Sequence, residues 1–149
     1  MNMKRWAVLL LAILLFSGGE SGFAQDLFLC KNVFVKEPIR RDQIQTLRES
    51  QSDRFRPGNR ITAVLIFHPS EDGRLEFRWI APFRGRQPQP YVHQVKQPVP
   101  GGEYTAYAWL VLDSNFLDGI MGSRYAGRWR IETYFDGKKI SSQSFWISN

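Results

Sequence analysis

The chain has 149 residues, with 20 Lys and Arg against 14 Asp and Glu, for a formal net charge of +6. That length supports one domain of ordinary size with its own core. A lone cysteine excludes an internal disulfide, and two histidines leave little with which to build a histidine metal site.

The first element is a leader. Lys4 and Arg5 precede Trp6 to Phe16, eleven residues without a charge, and Ser17 to Ala24 follows with Gly18, Gly19 and Gly22. Basic start, short apolar run and small-residue stretch form the layout of a Sec signal peptide over residues 1–24, cleaved after Ala24. The run falls short of the roughly 20 apolar residues of a membrane span. The mature chain, 25–149, is therefore expected in the periplasm or outside the cell and not across a membrane. Without Lys4, Arg5 and Glu20 it keeps a net charge of +5. Leu27-Phe28-Leu29-Cys30 superficially resembles a lipidation site, but Leu29 is too bulky before the cysteine and Asp26 interrupts the apolar approach. Cys30 is expected as a small buried side chain in the first strand. An intermolecular disulfide or a redox role is the alternative.

Strands follow the leader. Leu29 to Val35 reads as the first. The polar stretch from Lys36 to Gly58 holds either a single helical turn capped by Asp42, presenting Ile44 and Leu47, or a loop crossing the sandwich edge. Arg60 to Phe67 is apolar on both phases, as a central strand requires, and His68-Pro69 ends it. Arg74 to Ala81 alternates, with Leu75, Phe77, Trp79 and Ala81 on one face and Arg74, Glu76, Arg78 and Ile80 on the other. A loop with Arg84 and Arg86 leads to an edge strand over Tyr91 to Gln97, closed by Pro98 and Pro100. Glu103 to Leu112 is strongly β-prone. Asp113 to Ala126 reads as a loop whose Phe116, Leu117, Ile120 and Met121 fold back as a lid on the core.

The last third carries the clearest pattern. Trp129, Ile131, Thr133 and Phe135 alternate with Arg128, Arg130, Glu132 and Tyr134, and Asp136-Gly137 is a hairpin signal. The returning strand runs from Lys138 to Ser148. Ile140 and Phe145 reach the same core only if a β-bulge lies between Ser141 and Ser144. About seven turn-punctuated strands predict an all-β, immunoglobulin-like antiparallel β-sandwich.

Gly127-Arg128-Trp129-Arg130-Ile131, Asp136-Gly137 and Phe145-Trp146-Ile147 together resemble the closing hairpin of uncharacterised exported bacterial immunoglobulin-like domains. Cys30-Lys31-Asn32-Val33, Phe55 to Ile61 and Phe77-Arg78-Trp79 are similar to the front half of such domains. The resemblance implies a fold and a compartment. It brings no catalytic residues with it.

Chemistry-bearing constellations are sparse. His68 and His93 sit on different predicted strands without a second ligand nearby, and Asp113-Ser114-Asn115 with Asp118-Gly119 fails calcium-loop spacing. No Ser or Cys nucleophile has a recognisable base partner. The sequence thus predicts no metal, no cofactor and no enzymatic activity. The positive signal is arginine with aromatic residues: Arg74, Arg78, Arg84, Arg86, Arg128 and Arg130, joined by Tyr134 and Trp146, are the candidate binding residues. In immunoglobulin topology the strands bearing Arg78 and Arg130 are neighbours, so the two would converge beside Tyr134. The competing expectation is a solvated face on which Glu76 and Glu132 supply cross-strand ion pairs to the arginines. Trp79 and Trp129 lie on inward phases, Trp109 is unsettled, and Trp146 is the best candidate for an exposed indole. These features favour a protein-interaction module of the bacterial envelope, with a binder of anionic or carbohydrate envelope polymers as the alternative. A nucleic-acid partner conflicts with the leader.

Overall fold

The computed structural model describes residues 26–82, 92–121 and 125–149, with side chains throughout except at 92–95 and 118–121. The expected leader, Tyr91, Arg84 and Arg86 lie outside these residues. In chain order the elements are β1 (Asp26–Lys31), α1 (Arg41–Glu49), β2 (Arg54–Phe55), β3 (Arg60–Phe67), β4 (Gly73–Ile80), β5 (Val92–Val99), β6 (Tyr104–Val111), α2 (Ser114–Met121), β7 (Gly127–Phe135) and β8 (Lys138–Ile147). One sheet has the order β1-β3-β6 and the other β2-β8-β7-β4-β5. Strands β4, β7 and β8 facing β1, β3 and β6 make an immunoglobulin-like sandwich.

Period-two hydrophobicity explains why the sheets stack. Phe77, Trp79, Trp129 and Ile131 are fully buried in one interior with Leu29, Ile61, Ala63 and Leu65 of the opposite sheet. Phe145 sits at its centre, with ring centroids of Phe55, Trp79 and Trp129 at 5.7, 5.9 and 6.2 Å. Burying these four aromatic side chains contributes on the order of 1.5–3 kcal/mol each or more. Strand β3 is apolar on both phases because it has two buried faces. Its outward Val64 packs with Phe28, Cys30 and Leu47 beneath α1.

Several expectations need correction. Strand β1 starts earlier and stops at Lys31, because Asn32 adopts φ +56° and turns the chain while its side-chain oxygen accepts from the Arg60 N–H. The polar stretch forms α1, more than two turns long. Arg40 occupies its N-cap without a side-chain bond, and Asp42 sits inside the first turn, where its charge suits the helix dipole. Leu47 is buried and Ile44 half-buried, as their spacing required. The same segment also crosses between sheets: β2 joins the second sheet parallel to β8, so the sandwich has eight strands among the described residues and is not wholly antiparallel.

Strand β5 runs through Pro98 to Val99, which an edge position tolerates because no second neighbour needs the missing N–H. The expected loop after β6 contains α2. Asp113 Oδ1 accepts from the Phe116 N–H at 2.8 Å and caps it. Leu117 is buried and Phe116 packs on the core, as a lid would, whereas the side chains of Ile120 and Met121 lie outside the described residues. The hairpin turn places Asp136 at φ +48° and Gly137 at φ +82°. The register shift falls opposite Thr133 and Tyr134, so the bulged residue is Ile140, upstream of the expected position. The bulge turns Ile140 onto the core, while Ser141 hydrogen-bonds Thr133.

Candidate functional site

Every described candidate residue projects from one surface, the outer face of the β2-β8-β7-β4-β5 sheet. Inward Leu75, Phe77 and Trp79 on β4, and Trp129 and Ile131 on β7, force the alternate positions outward. Register sets Glu76 opposite Tyr134 and Arg78 opposite Glu132. Arg78 and Arg130 do flank this centre, but each is already paired, and with the carboxylate two residues away on its own strand rather than across strands as expected, because alternate residues of one strand share a face. The Arg78 Nε donates to Glu76, and its guanidinium lies 4.0 Å from the centroid of Tyr134. Arg130 Nε donates to Glu132 at 2.8 Å, and Tyr134 Oη donates to the same carboxylate at 2.6 Å. Lys96 and Lys139 add longer contacts, 3.9 Å to Glu76 and 3.7 Å to Glu132.

The titration behaviour follows from this closed network. The hydrogen bond to Glu76 raises the Arg78 guanidinium further above its already high value. Burial pushes Glu132 up, yet the Tyr134 hydroxyl, Arg130 and Lys139 outweigh it and hold the carboxyl below its usual range. The bond to Glu132 and burial raise the Tyr134 phenol. Paired charges of this kind fix the face rather than offer an open anion site.

The remaining candidates are placed differently. Arg74 is exposed opposite Pro98 of β5. Arg128 stands directly opposite Trp146, and Arg54 of β2 is the register partner of Trp146 on its other side. Arg54 was not singled out in the sequence. Its neighbour Phe55 faces the core, which fixes Arg54 outward, but nothing in the sequence announced a parallel pairing with β8.

A second surface surrounds β6. Ala106, Ala108 and Leu110 face the core, so Thr105, Tyr107, Trp109 and Val111 face out. Tyr107 stacks on Trp109 with centroids 5.9 Å apart. The guanidinium of Arg60 lies 4.8 Å from Trp109 and 4.5 Å from Phe34. Since Arg60 is opposite Val111, it approaches the indole from the end away from Tyr107. Both sides of Trp109 are therefore occupied. Tyr107 Oη donates to Glu37, and burial followed by that bond raises its phenol pKa, while burial lowers the Arg60 guanidinium. A groove of about 650 Å³ runs between Glu37, Pro38 and Ile39 on one wall and Glu103, Tyr104 and Thr105 on the other. The alternation of small and aromatic residues over 105–109 was the signal that could have found this surface.

The four sheet edges differ in cover. Strand β1 is shielded by the main chain after α1: Lys31 donates to Ser50 O and Ser52 donates to Leu29 O. Strand β2 is two residues long, and β5 carries Lys96 and Pro98. Strand β6 has eight uncharged residues and, among the described residues, no strand on its outer edge. Leu112 bonds through both N–H and C=O to the β3 side. Antiparallel alternation then turns the main-chain groups of Thr105, Tyr107, Trp109 and Val111 to the open edge.

No protein-family model matches the chain, and no curated protein matches it. Solved structures do. Alkylpurine DNA glycosylase AlkC from Pseudomonas fluorescens, bound to DNA containing an abasic site analog, aligns at TM-score 0.51 and 12% identity over 65% of this chain. A β-glucosidase from Listeria innocua in complex with gluconolactone aligns at 0.49 and 7% over 85%. An immunoglobulin-like protein from Pseudomonas aeruginosa aligns at 0.46 and 12% over 88%, and the chain covers 98% of it. The chain spans 28% of the glycosylase and 16% of the glucosidase. The likeness to the glycosylase reaches the fold and no further. Among the described residues, no group of three or more His, Cys, Asp or Glu side chains is placed to hold a metal ion, and no helix is long and apolar enough to cross a membrane.

Proposed function

We propose that this chain is a non-enzymatic interaction module of the bacterial cell envelope, exported by its leader, that receives an extended protein segment by strand addition along β6. The observation that carries this reading is the contrast among edges: among the described residues, β6 alone lacks a cover, a charge, a proline or a short length. Such an edge templates pairing with another chain, and main-chain bonds there supply affinity while pockets supply specificity. The groove beside Tyr104 and Thr105 is the pocket for an incoming side chain.

Two variants test it. Thr105→Pro removes an edge N–H without breaking a β3 bond, and Val111→Lys adds a charge at an exposed edge position. Each is expected to lose the protein recovered from envelope extract by the wild type, while Arg78→Glu/Arg130→Glu keeps it. Equal recovery by the wild type and both edge variants overturns the proposal. In the wild-type complex, amide exchange at 105, 107, 109 and 111 is expected to slow.

A further inference from the structure

We propose that Arg54, Trp146 and Arg128 form a binding site for an acidic polysaccharide, on the sheet opposite β6 and independent of that edge. The three residues make a straight row across β2, β8 and β7, held in register by the Trp146 N–H bond to Asp53 O and the Ser148 N–H bond to Phe55 O. Strand spacing sets the two arginines about 10 Å apart at their backbones, with the indole midway. Phe55, Ile147 and Trp129 are buried next to Arg54, Trp146 and Arg128 respectively, which fixes all three outward.

What separates this row from the Arg78–Arg130 network is that its guanidinium groups have no carboxylate among the described residues. Arg78 and Arg130 on the same face each have a carboxylate, whereas Arg128 bonds only to the Ser144 hydroxyl at 3.2 Å and Arg54 meets no acidic group among the described residues. The aromatic groups differ likewise. Tyr134 lies under Arg78 and Trp109 is flanked by Tyr107 and Arg60, but no described ring or cation lies against the indole of Trp146, which is 48% exposed. An open indole accepts the C–H face of a sugar ring, and flanking guanidinium forks accept carboxylate or phosphate oxygens bidentately.

A second feature continues the row. Beyond Arg54 lies a hollow of about 240 Å³ lined by Lys31, Arg54, Phe55, Arg56, Ser148 and Asn149, with three cationic side chains and no acidic one. One platform between cations, extended by a basic hollow, suits a sugar ring with acidic substituents on either side. A nucleic-acid track instead stacks successive bases on successive aromatic rings, and this row has one.

Affinity electrophoresis of the full chain tests the site, in gels holding polygalacturonate, a phosphorylated mannan or neutral galactan, beside a gel-shift assay with single-stranded DNA. At least one acidic polymer is expected to retard the wild type and galactan is not. Retardation by polygalacturonate or by the mannan alone supports the site and assigns the anion as carboxylate or phosphate. Trp146→Ala and Arg54→Gln/Arg128→Gln are each expected to weaken that binding about tenfold, while Lys36→Gln/Lys138→Gln, which removes the same charge elsewhere, leaves it unchanged. The proposal falls if neither acidic polymer binds, if galactan or DNA binds as tightly, or if all variants bind like the wild type. Strand addition at β6 is untouched by these substitutions, so the two proposals fail separately.

Discussion

Glu132 and Cys30 show how burial and partners set the behaviour of single groups. Glu132 is almost fully buried and keeps its charge because Tyr134, Arg130 and Lys139 converge on it. Its folded pKa lies below the ordinary value of 4.5, so the ionised form favours the fold. That stability is complete above 4.5 and is lost as pH falls through the lower folded value. Unfolding free energies measured at about pH 6 and pH 3 should therefore differ less for Glu132→Gln than for the wild type. Cys30 is the opposite case. Its thiol donates to Leu47 O at 3.0 Å, and burial pushes its pKa up to about 11 against the opposing effect of Arg48. A neutral, inaccessible thiol is a poor nucleophile. Iodoacetamide at pH 8 should label Cys30 only once the protein is unfolded. Prompt labelling of the native chain would show that α1 opens readily. The buried place of Cys30 was legible from its apolar neighbours. The carboxylate pairing of Arg78 and Arg130 was legible only as one of two alternatives, and each arginine takes the carboxylate two residues away on its own strand, because sequence shows phase but not whether a long side chain reaches along its strand or across to the next.

At the level of elements, turns and caps carry the clearest local information. Gly137 sits at φ +82° with nothing within 4 Å of where a Cβ would stand. Gly137→Ala should therefore cost only the backbone strain, about 1–2 kcal/mol, measured by denaturant unfolding. Asp113→Ala removes the cap of α2 and should cost about 1 kcal/mol. That helix was missed because Asp118-Gly119 reads as a turn, while its Leu117 is held by tertiary contact with the core. Helix α1 was underestimated for a related reason. Its stability comes from laying Ile44 and Leu47 over the outer face of β1 and β3, which no local propensity reports. Gly73 has another role: the Phe135 ring covers the space a Cβ would need, so Gly73→Ala must displace that ring.

For the whole molecule, stability depends on the two sheets meeting through their aromatic side chains. Trp129 is fully buried, stacks on Phe145 and donates its indole N–H to Tyr125 O at 2.7 Å. Trp129→Ala should destabilise the chain by about 3–5 kcal/mol, read from the denaturant midpoint. Trp146→Ala, on the same hairpin but exposed, should shift that midpoint little. Opposite sheets thus carry opposite surfaces: a charge-paired face with one open row, and an apolar edge beside a groove.

The period of two over residues 74–135 settled the sandwich from sequence alone, because alternating Leu75, Phe77, Trp79, Trp129 and Ile131 can be buried together only between two sheets. Local chemistry likewise settled the Asp136-Gly137 hairpin, whose backbone demands residues tolerant of positive φ. Tertiary structure decided which strands lie side by side. Pairing brings Arg54 beside Trp146 across 92 positions of sequence and leaves β6 without an outer neighbour among the described residues. Those outcomes depend on contacts between distant segments, for which periodicity carries no signal.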